Sequence, residues 1–103
     1  MAVLKITKDN FESLKAESRP VLIDFYADWC MPCQMMSPVV SQLAEERDDC
    51  IVGKVNVDDE QELAVMFGVE SIPMLVVMKD GKVTAKTVGV CTKAQLEEMI
   101  EKA

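Results

Sequence analysis

The chain has 103 residues, half of them apolar, with 11 basic and 18 acidic side chains, a formal charge of −7, four cysteines and no histidine. That length fits one domain, residues 1–103, with enough apolar material for a proper core. The acidic balance argues against binding a phosphate backbone, and no run of 18 uncharged apolar residues offers a membrane span. The missing histidine excludes Cys–His catalysis, His-containing zinc sites and a histidine pH switch.

Met1 to Lys8 carries Lys5 and Lys8 and reads as a strand, with Ala2 to Ile6 as its body. It lacks the apolar stretch of a secretion signal, which points to the cytoplasm. A short helix follows from about Asp9 to Glu17 and breaks at Ser18-Arg19-Pro20. Val21 to Ala27 is nearly all apolar on both alternations, as in a strand buried on both faces. A long helix to about Arg47 carries a stripe of Met35, Met36, Val39, Val40, Leu43 and Ala44, with Pro38 expected to kink it. Ile51 to Val57 is the next strand, and Glu60 to Phe67 a short helix stopped by Gly68. Met74 to Lys79 and Lys82 to Gly89 form strands joined by the hairpin signal Asp80-Gly81. Thr92 is placed to cap a last helix over Lys93 to Lys102. The methionines, Met66, Met78 and Met99 among them, fall mostly on core stripes. The order βαβαβαββα predicts an α/β chain whose parallel portion ends in a hairpin, with helices on both faces of the sheet.

Trp29-Cys30-Met31-Pro32-Cys33 stands between an apolar strand and a helix. At a helix start, two cysteines three residues apart bring their sulfurs to one side of the first turn. The helix end adds unpaired N–H groups and a positive dipole end, which lower the cost of a thiolate at Cys30. The thiolate is the nucleophile of disulfide exchange, so the motif reads as a redox-active dithiol. The alternatives are a half-built zinc site and a passive bridge. Zinc takes four ligands, and Cys50 and Cys91 are single cysteines in unrelated elements, expected at opposite ends of the sheet. No metal site is predicted. Pro32 suits the first helical turn, where its missing N–H costs nothing. Met31 is expected to be exposed, either as a plain surface residue or as a soft contact for partners. Asp24, six residues before Cys30 in an apolar strand, is expected to have a raised pKa from desolvation. Lys54 reads by itself as a snorkelling surface residue.

Together these residues resemble the thioredoxin family. The likeness covers Val21-Leu22-Ile23-Asp24-Phe25-Tyr26-Ala27-Asp28-Trp29-Cys30, Pro32-Cys33 and Pro38. It continues through Lys54-Val55-Asn56-Val57-Asp58, Phe67-Gly68-Val69, Ser71-Ile72-Pro73, Asp80-Gly81 and Val88-Gly89. Three positions depart from the family pattern. Met31-Pro32 stands for Gly-Pro, Gln34 for a residue that is often basic, and Met74 for threonine.

The resemblance implies a thioredoxin fold, a central mixed sheet of about five strands with about four helices on both faces. It implies a protein-disulfide reductase and electron carrier. Cys30, the more exposed cysteine, attacks and Cys33 resolves. Asp24 is then the buried proton acceptor for Cys33, through a water, with Lys54 as its partner. Ile72-Pro73 becomes a cis-proline turn that pairs with an extended substrate. Trp29, Met31, Pro32, Met74, Gly89 and Val90 complete the substrate contacts. No cofactor is expected to be bound beyond the Cys30–Cys33 disulfide. Electrons are expected from a separate NADPH-dependent flavoprotein, thioredoxin reductase. The partners are disulfide-bearing proteins, without nucleic acid or membrane, and the chain is expected to be monomeric. The rivals are a disulfide oxidase or isomerase on the same fold, and a non-catalytic binding module of a larger complex.

Overall fold

The computed structural model describes residues 2–103; Met1, which the sequence groups with the first strand, lies outside them. Five strands form one sheet in the order β1-β3-β2-β4-β5. They are β1 (Leu4–Lys5), β2 (Val21–Tyr26), β3 (Ile51–Asn56), β4 (Met74–Lys79) and β5 (Lys82–Val88). β1, β3 and β2 run parallel, β4 is antiparallel to β2, and β5 is antiparallel to β4. The helices are α1 (Lys8–Lys15), α2 (Met31–Glu46), α3 (Gln61–Met66) and α4 (Lys93–Glu101). The predicted mixed sheet with helices on both faces is the observed one.

Strand alternation sorts the core into two layers. Val21, Ile23 and Phe25 of β2 and Met74, Val76 and Met78 of β4 pack with Phe11, Leu14 and Leu63 from α1 and α3. Leu22 of β2 and Leu75 and Val77 of β4 pack with Met36, Val40 and Leu43 of α2 and Leu96 and Ile100 of α4. Asp24 shares the second face with Leu22, so the pleat sends a carboxylate toward α2.

Local chemistry sets the element ends. Thr7 and Asn10 form a capping box that starts α1, and Thr92 and Gln95 form one that starts α4. Asp80 and Gly81, with φ of 53° and 77°, make the β4–β5 turn. Three expectations need correction. β1 is two residues long rather than Ala2 to Ile6, although the Ile6 N–H still donates to the Lys54 carbonyl at 2.9 Å. Met35 is 65% exposed, because the buried stripe of α2 runs through Met36, Val40 and Leu43. Met66 is 61% exposed. The chain turns at Gly68 just after it, and Phe67 fills the core against Phe11 and Phe25, with ring centroids 5.6 and 5.1 Å apart.

Candidate active site

β2 ends at Tyr26, a tight turn follows, and α2 begins at Met31. The Cys30 N–H donates to the Ala27 carbonyl at 3.2 Å, which closes the turn. Cys30 is the N-cap of α2, and its sulfur accepts the Cys33 N–H at 3.3 Å. An orphan donor of the helix start thus points at the Cys30 sulfur, where it would favour negative charge. Cys30 and Cys33 form a disulfide with Cα atoms 5.2 Å apart. The two residues are almost equally buried, at 5% and 4% exposure, so the expected contrast in their access is absent in the disulfide form.

The second half of the site comes from the other end of the chain. The Ile72-Pro73 bond is cis. The Ile72 carbonyl oxygen lies 3.8 Å from Cys30 Sγ, and the Pro73 carbonyl accepts the Gly89 N–H at 2.8 Å. β2–β4 pairing, with Phe25 opposite Met74, brings this turn to the cysteines. Met31 and Val90 are exposed, Pro32 is exposed beside them, Gly89 and Ile72 are half-buried and Pro73 is buried. Trp29 is 70% exposed, and its indole N–H donates to Asp58 Oδ2 at 2.9 Å. Met74 differs from its expected place. It points to the α1–α3 core at 2% exposure, because alternation along β4 turns it away from the cysteines.

Asp24 is buried, and its Oδ1 has no hydrogen-bond partner. Burial pushes its pKa up to about 7, and the opposing pull of the Lys54 charge is the smaller effect. Lys54 pairs with Asp24 in the β2–β3 register, but its ammonium stands 5.6 Å over the Tyr26 ring. A cavity of about 300 Å³ is lined by Asp24, Cys33, Lys54, Tyr26, Gln34 and Ser37, among others. It joins the carboxylate to the second cysteine and is polar and roomy enough for water. Cys50 is buried at the far end of β3, and Cys91, half-buried beyond β5, donates its N–H to Met36 Sδ at 3.5 Å.

These features match known proteins along nearly the whole chain. The Thioredoxin family profile covers residues 2–102. Thioredoxin of Bacillus subtilis is 43% identical over 103 residues, 99% of this chain and 98% of that protein. Thioredoxin of Haemophilus influenzae is 45% identical over 100 residues, 95% of this chain and 94% of that one. The chain belongs to the thioredoxin family.

Among solved structures, a mutant thioredoxin from Halobacterium salinarum superposes with a TM-score of 0.90 at 39% identity, covering 98% of this chain and 89% of that one. As in other thioredoxins, the Cys30–Cys33 pair makes this a protein-disulfide reductase that works by dithiol/disulfide exchange. The sequence assigns no site role to four neighbours of the cysteines: Asp58, Gln34, Tyr26 and Ser37. Asp58, just after β3, stands beside Trp29. Gln34, Tyr26 and Ser37 line the cavity, and helical spacing from Cys33 was the available signal for Ser37.

Proposed function

We propose that this thioredoxin carries electrons from a separate NADPH-dependent flavoprotein, thioredoxin reductase, to disulfide-bearing proteins, as a cytoplasmic monomer acting as one domain. The carrying observation is the Cys33 N–H held on Cys30 Sγ at the start of α2. In the reduced protein the Cys30 thiolate attacks a substrate disulfide. The bond from Cys30 to substrate sulfur forms, the substrate's own S–S bond breaks, and the departing thiolate takes a proton. Cys33 then passes its proton to the Asp24 carboxylate across the shared cavity and attacks Cys30 Sγ. The Cys30–Cys33 bond forms, and the second substrate thiolate leaves and is protonated. The substrate gains two electrons from the dithiol and two protons from water, while the protein gives up one proton when Cys30 ionises and a second when Asp24 later releases the one taken from Cys33. A pKa of about 7 suits Asp24 both to accept and to release a proton near neutrality.

The Ile72 backbone supports main-chain pairing with an extended substrate segment, which gives affinity with little sequence demand. Trp29, Met31, Pro32, Gly89 and Val90 supply the rim, and the exposed Met35 extends it. No helix of the described residues is long and apolar enough to cross a membrane.

The test is trapping. Cys33→Ser accumulates mixed disulfides with protein substrates, and Cys30→Ser accumulates almost none, read by mass spectrometry of captured complexes. Equal trapping by the two variants overturns the assignment. Titration of the dithiol against glutathione fixes direction: a pair more reducing than the glutathione pool supports the reductase, and a more oxidising one supports the oxidase.

A further inference from the structure

Gln34 occupies the first turn of α2 and makes two bonds around the cysteines. Its backbone N–H donates to the Cys30 carbonyl at 3.2 Å. Its side-chain Nε2 donates to the Asp28 carbonyl at 3.1 Å, reaching six residues back across the turn. Pro38, four residues on, has no N–H to offer the Gln34 carbonyl, so the first turn of α2 lacks one tie to the rest of the helix. The side-chain amide ties that turn from the other side. Gln34 also lines the cavity that holds Asp24 and Cys33, and it is exposed, which places it at the mouth.

We infer that Gln34 is a positioning residue for the resolving step: its amide ties the dithiol turn to α2 and borders the Asp24–Cys33 cavity with an uncharged group. This rests on the reading of Asp24 as the acceptor for Cys33.

The groups facing Asp24 come from every element around it. They are Lys54 on β3, Tyr26 and Asp28 at the end of β2, Cys33 on α2 and Cys91 beyond β5. Leu75, opposite on β4, is apolar. Lys54 is the one cation in this set, and it has the Tyr26 ring as a second neighbour. A second cation at position 34 would add to its pull on the carboxylate. A neutral amide leaves the carboxylate's balance to burial and Lys54. Tether and neutrality are therefore separable by substitution.

Three variants separate them. Gln34→Leu removes the donor and stays neutral. Gln34→Lys keeps a donor and adds a positive charge. Gln34→Glu removes the donor and adds a negative charge. Reduction of a peptide disulfide by the pre-reduced protein is followed from pH 5 to 9, beside wild type and Asp24→Asn. In Gln34→Lys the pH midpoint of the Asp24-dependent step falls by about half a unit or more, and in Gln34→Glu it rises by a similar amount. Gln34→Leu keeps the wild-type midpoint and reacts several-fold more slowly at every pH. A midpoint that stays put in both charged variants, or a Gln34→Leu variant as fast as wild type, overturns the inference alone. A wild-type profile without a step that Asp24→Asn abolishes overturns the reading of Asp24, and this inference with it.

Discussion

Replacing Asp24 by asparagine should flatten the pH dependence of stability. The unfolded carboxyl titrates at about 3.9, and the folded one at about 7 because burial disfavours its charge. Below about pH 4 both states hold the proton, and the group's contribution to stability is intact. As pH rises from there, the unfolded chain releases the proton while the folded chain must keep it. Stability falls through the folded pKa and then levels off, about 4 kcal/mol lower in all. Between pH 5 and pH 8 the wild type should lose between about 2 and 3 kcal/mol from this group, or roughly 10–20 °C in Tm for a domain of this size. Asparagine does not titrate, so the variant should gain on the wild type by that amount across the same interval. Denaturant melts of the disulfide form at several pH values measure it. No histidine competes in that window, and burial raises the Cys50 and Cys91 thiols further above it. The same substitution should slow release of the mixed disulfide, because it removes the acceptor proposed for Cys33. A wild-type slope that persists in the asparagine variant would refute the argument.

Gly53→Ala should destabilise the fold by about 1–3 kcal/mol. A Cβ there would stand 2.4 Å from Ile6 Cδ1 and 3.1 Å from the Leu4 carbonyl oxygen, crowding β1 off β3. The denaturant midpoint reads this, and a loss below about 0.5 kcal/mol would mean that Ile6 swings aside freely. Asp58→Ala should free the indole of Trp29, which is the sole tryptophan, and so change its emission and anisotropy. The bond is exposed, so stability should move by about 1 kcal/mol or less. Unchanged fluorescence would show that the indole holds its place without the carboxylate.

The fold was legible because its signals were local and mutually consistent. The run of β2, apolar on both faces apart from Asp24, announced a central strand, Asp80-Gly81 announced the hairpin, and Thr92 announced the last helix. Cys30 and Cys33 were legible for the same reason, since their spacing and helix-start position are properties of five consecutive residues. What failed depended on neighbours from elsewhere. Met35 and Met66 lie at helical spacing from buried residues, yet α2 shows the sheet a narrower stripe, and at the last residue of α3 it is Phe67, not Met66, that turns into the core. Met74 follows Pro73 in sequence, but the pleat of β4 sends it to the opposite layer. Asp58 and Gln34 acquire meaning through an indole 29 residues away and a carbonyl across the turn, which no local pattern encodes.

The pairing of β2 with β4 also sets when the machinery comes into being. Cys30 and Cys33 leave the ribosome early, at the head of α2. The Ile72 carbonyl that borders Cys30 belongs to a segment made some forty residues later. Until Met74 to Met78 dock beside Val21 to Phe25, the central strand has only β3 as a neighbour and the dithiol lacks the platform proposed for substrate. A nascent chain released before β4 would thus carry both sulfurs without a place to seat a partner. Two separately produced fragments, cut between β3 and α3, would regain that place only by finding each other, so disulfide reduction would itself report their reunion.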